Sequence, residues 1–194
     1  TLAGEGRPLP YVYLEISGAP GEALQETDYY GLGYASGGAT DITEFTFTGT
    51  PHPLPRPPGH PAAQPNPPGP PGSQFSELAW GIMPSNKAVV FLQNHDTQHN
   101  CGLGYEDGDV FRLANVWMLA QPYGYPNVLS SFAFSCPGGN SMGPPSDAEG
   151  WTLPVTCAAS LETATIGQWV CEHRDPSIRT LVRSRKAVAG GALP

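Results

Sequence analysis

The chain has 194 residues and a formal net charge of -8, with Lys and Arg together numbering only 9. So acidic a chain is ill suited to a nucleic-acid backbone, and no apolar run reaches the roughly 20 residues a membrane-spanning helix needs. The length fits one ordinary domain; hydrophobic residues make up a low 39%, with 24 Gly and 23 Pro, and much of that bias lies in a single stretch.

Residues 1–10 are polar and rich in Gly and Pro, without an initiating Met or a signal-peptide pattern, and read as a lead-in inside a longer protein. Residues 11–16 predict a strand whose apolar character is interrupted by Glu15, a residue that a purely structural strand disfavours. Residues 17–38 read as loop, with Tyr29, Tyr30 and Tyr34. Residues 42–48 alternate apolar and polar and predict a second strand. The segment 51–72 holds 11 of the 23 prolines, a density that excludes helix and favours an extended polyproline-like spacer, with an SH3-type ligand as the functional alternative.

The run Ala88-Val-Val-Phe-Leu92 follows a Pro-Ser-Asn turn signal and predicts a strand, 88–94, buried on both faces. It gives way abruptly to Gln93-Asn94-His95-Asp96, a carboxylate beside an imidazole at a strand end. Such an ending is what a (β/α)-barrel enzyme presents at its active face. A Gly-rich loop leads to a helix predicted over 110–120, with Asp109 as N-cap and Pro122 beyond its end. Residues 128–134 predict a fourth strand, 136–166 mostly loop, and 177–183 a short helix capped by Asp175 with Pro176 in its first turn. The tail from Ala187 is small and unpatterned. Four cysteines allow two disulfides in three pairings, and no CxxC or HxxxH spacing supports a metal site.

Several of these segments, in order, resemble the α-amylases of glycoside hydrolase family 13, chiefly the animal and actinobacterial type. Phe91-Leu-Gln-Asn-His-Asp96 is similar to the end of barrel strand 7, 113–126 to helix 7 and its turn, and Val128-Leu-Ser-Ser-Phe-Ala-Phe134 to strand 8. Gly143-Pro-Pro145 and Trp169-Val-Cys-Glu-His-Arg174 are similar to the family's segments beyond strand 8, and Tyr13-Leu-Glu-Ile16 with Gly21-Glu-Ala23 to strand 5 and its loop. The resemblance implies an α/β chain, a partial (β/α)8 TIM barrel of strands 5–8, with the Pro-rich segment in place of helix 6. It divides the chain into 1–50 (strands 5 and 6), 51–74 (Pro-rich insertion) and 75–194 (strands 7 and 8). Such a barrel typically needs about 250 residues, so the chain corresponds to its second half.

Glycoside hydrolysis takes two carboxylates across the scissile bond. The resemblance makes Glu15 the acid, at the end of an apolar strand where desolvation favours its protonated form. It makes Asp96 the carboxylate that stabilises the transition state, and His95 and Glu22 substrate-binding residues. It implies an α-glucan substrate, retaining endo-hydrolysis of α-1,4 bonds, and a secreted enzyme. It pairs Cys157 with Cys171; Cys101 and Cys136, following adjacent strands, form a reasonable second bridge. The family's nucleophile, an Asp on strand 4, has no counterpart, and its calcium ligands also belong to the missing half. Asn94 matches one chloride ligand, but Asn127 stands where animal enzymes have a basic one, so chloride is not expected. Cys101 replaces a substrate-binding His, and Asp175-Pro176 replaces a Trp, which is expected to shorten the last helix. The competing reading is a non-catalytic carbohydrate-binding or inactive truncated homologue, with Tyr29, Tyr30, Tyr105, Tyr123 and Tyr125 stacking on sugars.

Overall fold

The computed structural model describes residues 11–17, 22–23, 26–29, 40–49, 82–136 and 143–188. The Pro-rich segment and its proposed boundaries at 51–74 lie outside them, as do Tyr30 and Tyr34.

Four short strands form one sheet: β1 (Tyr13–Leu14), β2 (Asp41–Thr43), β3 (Ala88–Val90) and β4 (Tyr125–Pro126). They lie in sequence order and every pair is parallel. Parallel neighbours need long crossovers. The described crossover from β3 to β4 carries α2 (His95–His99) and α3 (Asp109–Ala120); α1 (Phe45–Gly49) follows β2, and α4 (Pro176–Val188) closes the described chain. The fold is therefore α/β.

The core lies between sheet and helices. Ile42, Val90 and Leu92 meet Phe111, Ala114, Met118 and Ile178 in one buried cluster. In α3 the buried positions Phe111, Ala114, Asn115, Met118 and Leu119 recur at helical spacing, while Leu113 is exposed. Gly124, at φ +63°, turns the chain from α3 into β4; a Cβ there would stand 2.8 Å from Val90 Cγ1 and 2.9 Å from the Ala88 carbonyl. Only glycine meets both demands.

The sheet is curled. β1 and β4 are its opposite edges, about 14 Å apart in a flat sheet of this spacing. Yet the rings of Tyr11 and Tyr125 stand 4.6 Å apart, and Asn127 Nδ2 donates to the Tyr13 hydroxyl at 3.0 Å. Side chains of the two edges thus meet across a concave face.

Four expectations change. The second strand ends at Thr43, and residues 45–49 are helical. Glu44 turns the chain, its carboxylate accepting the Thr46 amide at 2.9 Å. Phe47 then leaves the strand to stack on Trp117 and Tyr123. The fourth strand is Tyr125–Pro126, extended by the bond from Asn127 N to Val90 O, and 128–134 does not continue it. Residues 131–133 instead pair antiparallel with 168–170, through Val170 N to Ser131 O and Ala133 N to Gln168 O. The run is extended, as its composition requires, but its partner is another loop.

Asp109 is the first residue of α3 rather than its cap; Gly108 precedes it at φ +53° and the Asp109 side chain pairs with Arg112. The last helix is longer than 177–183. Asp175 caps it as expected, accepting from Ser177 N at 2.9 Å and Ile178 N at 3.4 Å. It runs on to Val188, where Arg185 reaches the carbonyls of Leu119 and Gln121 at the C-terminal end of α3 and of Tyr123 and Gly124 in the turn that follows. A cation there satisfies acceptors that the helix leaves open.

Candidate active site

The apolar run of β3 stays buried through Gln93 and then emerges. Asn94 is extended and caps α2: its Oδ1 accepts from Asp96 N at 3.1 Å and Thr97 N at 2.8 Å. Thr97 Oγ1 returns the favour, accepting from Asn94 N at 2.8 Å. This reciprocal capping box fixes the direction in which His95 and Asp96 leave the strand. The other side of the same amide is also committed, Nδ2 donating to Glu15 Oε1 at 3.0 Å.

Asn94 therefore ties the end of β1 to the start of α2. Glu15, His95 and Asp96 each offer one ligand-capable atom, and these three atoms lie within 4.8 Å of one another. His95 Nε2 stands 3.5 Å from Asp96 Oδ1. All three side chains are exposed. Glu15, expected in an enclosed setting at the strand end, is exposed at the end of β1. Glu22 is also exposed and does not belong to this cluster.

Both disulfides are formed. The bridge from Cys101 to Cys136, Cα atoms 5.7 Å apart, ties the loop after α2 to the end of the 131–136 segment. The bridge from Cys157 to Cys171, at 5.6 Å, anchors the chain before α4.

Among the described residues three carboxylates are buried, Glu44, Asp107 and Glu172, and the sequence reading assigned none of them a role. Glu172 is fully buried; its Oε1 accepts from Gln93 Nε2 at 2.9 Å and from the Ser131 hydroxyl, and its Oε2 from Ser131 N at 2.8 Å. Burial pushes its carboxyl up, and these hydrogen bonds oppose the shift. Glu44, 2% exposed, accepts from Met83 N at 2.6 Å and is pushed up by burial in the same way. A hint of Glu172 lay in its place beside a half-cystine within an apolar stretch.

The donor sets speak to the ions the resemblance raised. Calcium takes 6–8 oxygen ligands, which two carboxylates and an imidazole do not provide. Both sides of the Asn94 amide are occupied, and Asn127 donates to Tyr13 and carries no charge.

No protein-family model matches the chain. Its relatives are nonetheless consistent. It is 32% identical to human α-amylase 1B over 193 residues, covering 93% of this chain and 34% of that protein. It is 42% identical to the α-amylase of Thermomonospora curvata over 117 residues, 60% of this chain and 18% of that one. The chain is an α-amylase homologue. It spans about a third of the length of the animal α-amylases it matches. The fold agrees: the crystal structure of α-amylase I from Eisenia fetida superposes with a TM-score of 0.68 at 25% identity, over 95% of this chain and 36% of that one. A variant of the same enzyme crystallised with maltohexaose superposes at 0.66, at 22% identity, over 93% of this chain and 35% of that one.

Proposed function

We propose that this chain carries part of the active site of a retaining endo-hydrolase of α-1,4-glucans. In this reading it forms strands 5–8 of a (β/α)8 barrel of glycoside hydrolase family 13, with the Pro-rich segment inserted where helix 6 would be. The observation that carries the reading is the convergence of Glu15, just past β1, with His95 and Asp96, at the start of α2. The parallel sheet in sequence order and its curl support a partial barrel.

Glu15 is the proton donor to the leaving oxygen. Asp96 stabilises the positive charge that develops on the sugar ring, and His95 and Glu22 bind hydroxyls. The nucleophile is not among these residues: retaining chemistry places it about 5–5.5 Å from the acid, on a strand that this chain does not match. The chain alone therefore binds glucan without cleaving it. It needs no chloride, its parent's calcium is held elsewhere, and its two disulfides suit an extracellular setting.

The test is to titrate the purified 194-residue chain with maltohexaose and to assay it on soluble starch. Saturable binding weakened by Asp96→Asn and His95→Ala, with no hydrolysis, is the expected result. Starch hydrolysis abolished by Glu15→Gln would overturn the account of a missing nucleophile, and no binding at all would overturn the glucan site. Binding without hydrolysis as the natural role has one observation in its favour, the exposed ring cluster of Tyr11, Tyr13 and Tyr125. Of the other tyrosines proposed to stack on sugars, Tyr123 is buried with its hydroxyl on Met83 O, and Tyr105 hydrogen-bonds Phe134 O.

A further inference from the structure

Glu172 has no part in the chemistry just described, yet it is wholly enclosed and bonded to the strand that carries the site. Its own position is fixed from behind. Cys171 is bridged to Cys157, Val170 N donates to Ser131 O, and Arg174 N donates to Cys171 O. In front of it lies Gln93, the last buried residue before Asn94. Gln93 has little freedom on its other side, where a Cβ on Gly104 would come within 3.0 Å of its Oε1.

We propose that Glu172 is the positioning residue of the Glu15, His95 and Asp96 site, holding the end of β3 through Gln93. The inference rests on the reading of that cluster as a glucan site. The chemistry requires a carboxylate at this place. Three donors converge on its two oxygens: Gln93 Nε2, Ser131 N and the Ser131 hydroxyl. Only an acceptor with two free oxygens satisfies all of them. A glutamine at 172 would set an NH2 group against at least one donor, and the easiest relief is for the Gln93 amide to turn over. The bond that remains is between two neutral amides and anchors Gln93 less firmly, and Gln93 leads directly into Asn94, which orients both α2 and Glu15. The same carboxylate holds Ser131, which leads on to Cys136 and its bridge to Cys101. Glu172 thus joins the loops that leave β3 and β4.

The experiment compares amide exchange and maltohexaose titration in four forms of the full 194-residue chain: wild type, Glu172→Gln, Gln93→Leu, and the exchanged pair Gln93→Glu with Glu172→Gln. Gln93→Leu cuts the link to β3 but leaves Ser131 bonded, so it serves where Glu172→Gln does not fold. Either single change is expected to speed exchange of the Thr97 and Gln98 amides about tenfold, the effect of losing one charge-assisted hydrogen bond. Amides of α3 should change less than twofold, and the exchanged pair should restore slow exchange, because an amide at 172 then faces a carboxylate at 93 while its oxygen still accepts from Ser131 N and the Ser131 hydroxyl turns from donor to acceptor. Equal loosening of α2 and α3, no loosening of α2, or no rescue by the exchanged pair would overturn the positioning role. If wild type binds no maltohexaose, the glucan reading fails, while the exchange measurements still decide the role of Glu172.

Discussion

Asn94 joins every part of the candidate site, so its replacement is the sharpest perturbation available. Asn94→Ala removes the acceptor for the Asp96 and Thr97 amides and the donor to Glu15. Loss of an N-cap costs about 1 kcal/mol, and α2 has only 5 residues over which to spread it. Local opening of α2 should therefore become roughly fivefold more frequent, while the exposed bond to Glu15, worth about 0.5 kcal/mol, bears on the placement of Glu15 rather than on the helix. Asn94→Asp separates the two roles. It keeps the cap but sets a second carboxylate beside Glu15, where two like charges about 3 Å apart in water repel by about 1.4 kcal/mol. Amide exchange at Thr97, whose N–H donates directly to Asn94, measures the cap; maltohexaose affinity measures Glu15. Alanine should loosen α2 and weaken binding, whereas aspartate should weaken binding alone. Slow exchange at Thr97 in Asn94→Ala, or equal loosening by aspartate, would refute this account.

Other perturbations test the frame around the site. Phe47, 1% exposed and stacked between Trp117 and Tyr123, should cost about 3–5 kcal/mol in urea unfolding when cut to alanine. Arg112→Met leaves Asp175, whose side chain is 6% exposed, without its ion partner. The loss should be about 2 kcal/mol, less than for a fully buried pair because Asp175 keeps its cap bonds; Glu162→Gln, at the exposed end of the same network, should cost under about 1 kcal/mol. The pH dependence has two limbs. Arg112 lowers Glu162 from 4.5 to about 2, so this pair stabilises the fold above pH 4.5 and ceases to do so as pH falls toward 2. Burial raises Glu44 and Glu172 above 4.5, so their contribution is fully present below that value and is lost as pH rises through their folded-state values. Denaturation midpoints between pH 2 and pH 8 should show Glu162→Gln flattening the acid limb and leaving the other unchanged.

How much of this was legible depended on whether a signal was local. The run 88–92 is apolar without alternation and had to be buried on both sides; the structure buries it throughout. Asp175 and Pro176 state the start of α4 in two residues, and the cap is found there. Residues 42–48 misled because alternation over a few residues does not reveal that Glu44 will fold back on Thr46. Residues 128–134 misled in another way. Their extended form comes from composition, but the choice of 168–170 over β3 depends on a bridge and on a buried carboxylate, Glu172, 41 residues beyond Ser131. The end of α4 was missed because its support, Arg185, bonds to carbonyls at the end of α3 and in the turn beyond it, more than 60 residues away. Clustering of Glu15 with Asp96 could be proposed only through resemblance, because nothing local links residues 81 positions apart.

The exposure of that cluster bears directly on what the chain can do by itself. A carboxyl group donates a proton effectively near neutrality when its surroundings disfavour the charged form. Glu15 lies on the same side of β1 as Tyr11 and Tyr13, and all three are exposed, the tyrosines at 49% and 40%. The concave face that should desolvate the acid is therefore wet, although its tyrosine hydroxyls are already engaged by Asp41 and Asn127. In the proposed barrel, the remaining strands would cover this face as well as supply the nucleophile. Adding a nucleophile alone should then fall short of full activity. An aspartate engineered about 5 Å from Glu15 would give at most slow turnover until the concave face was also closed to water.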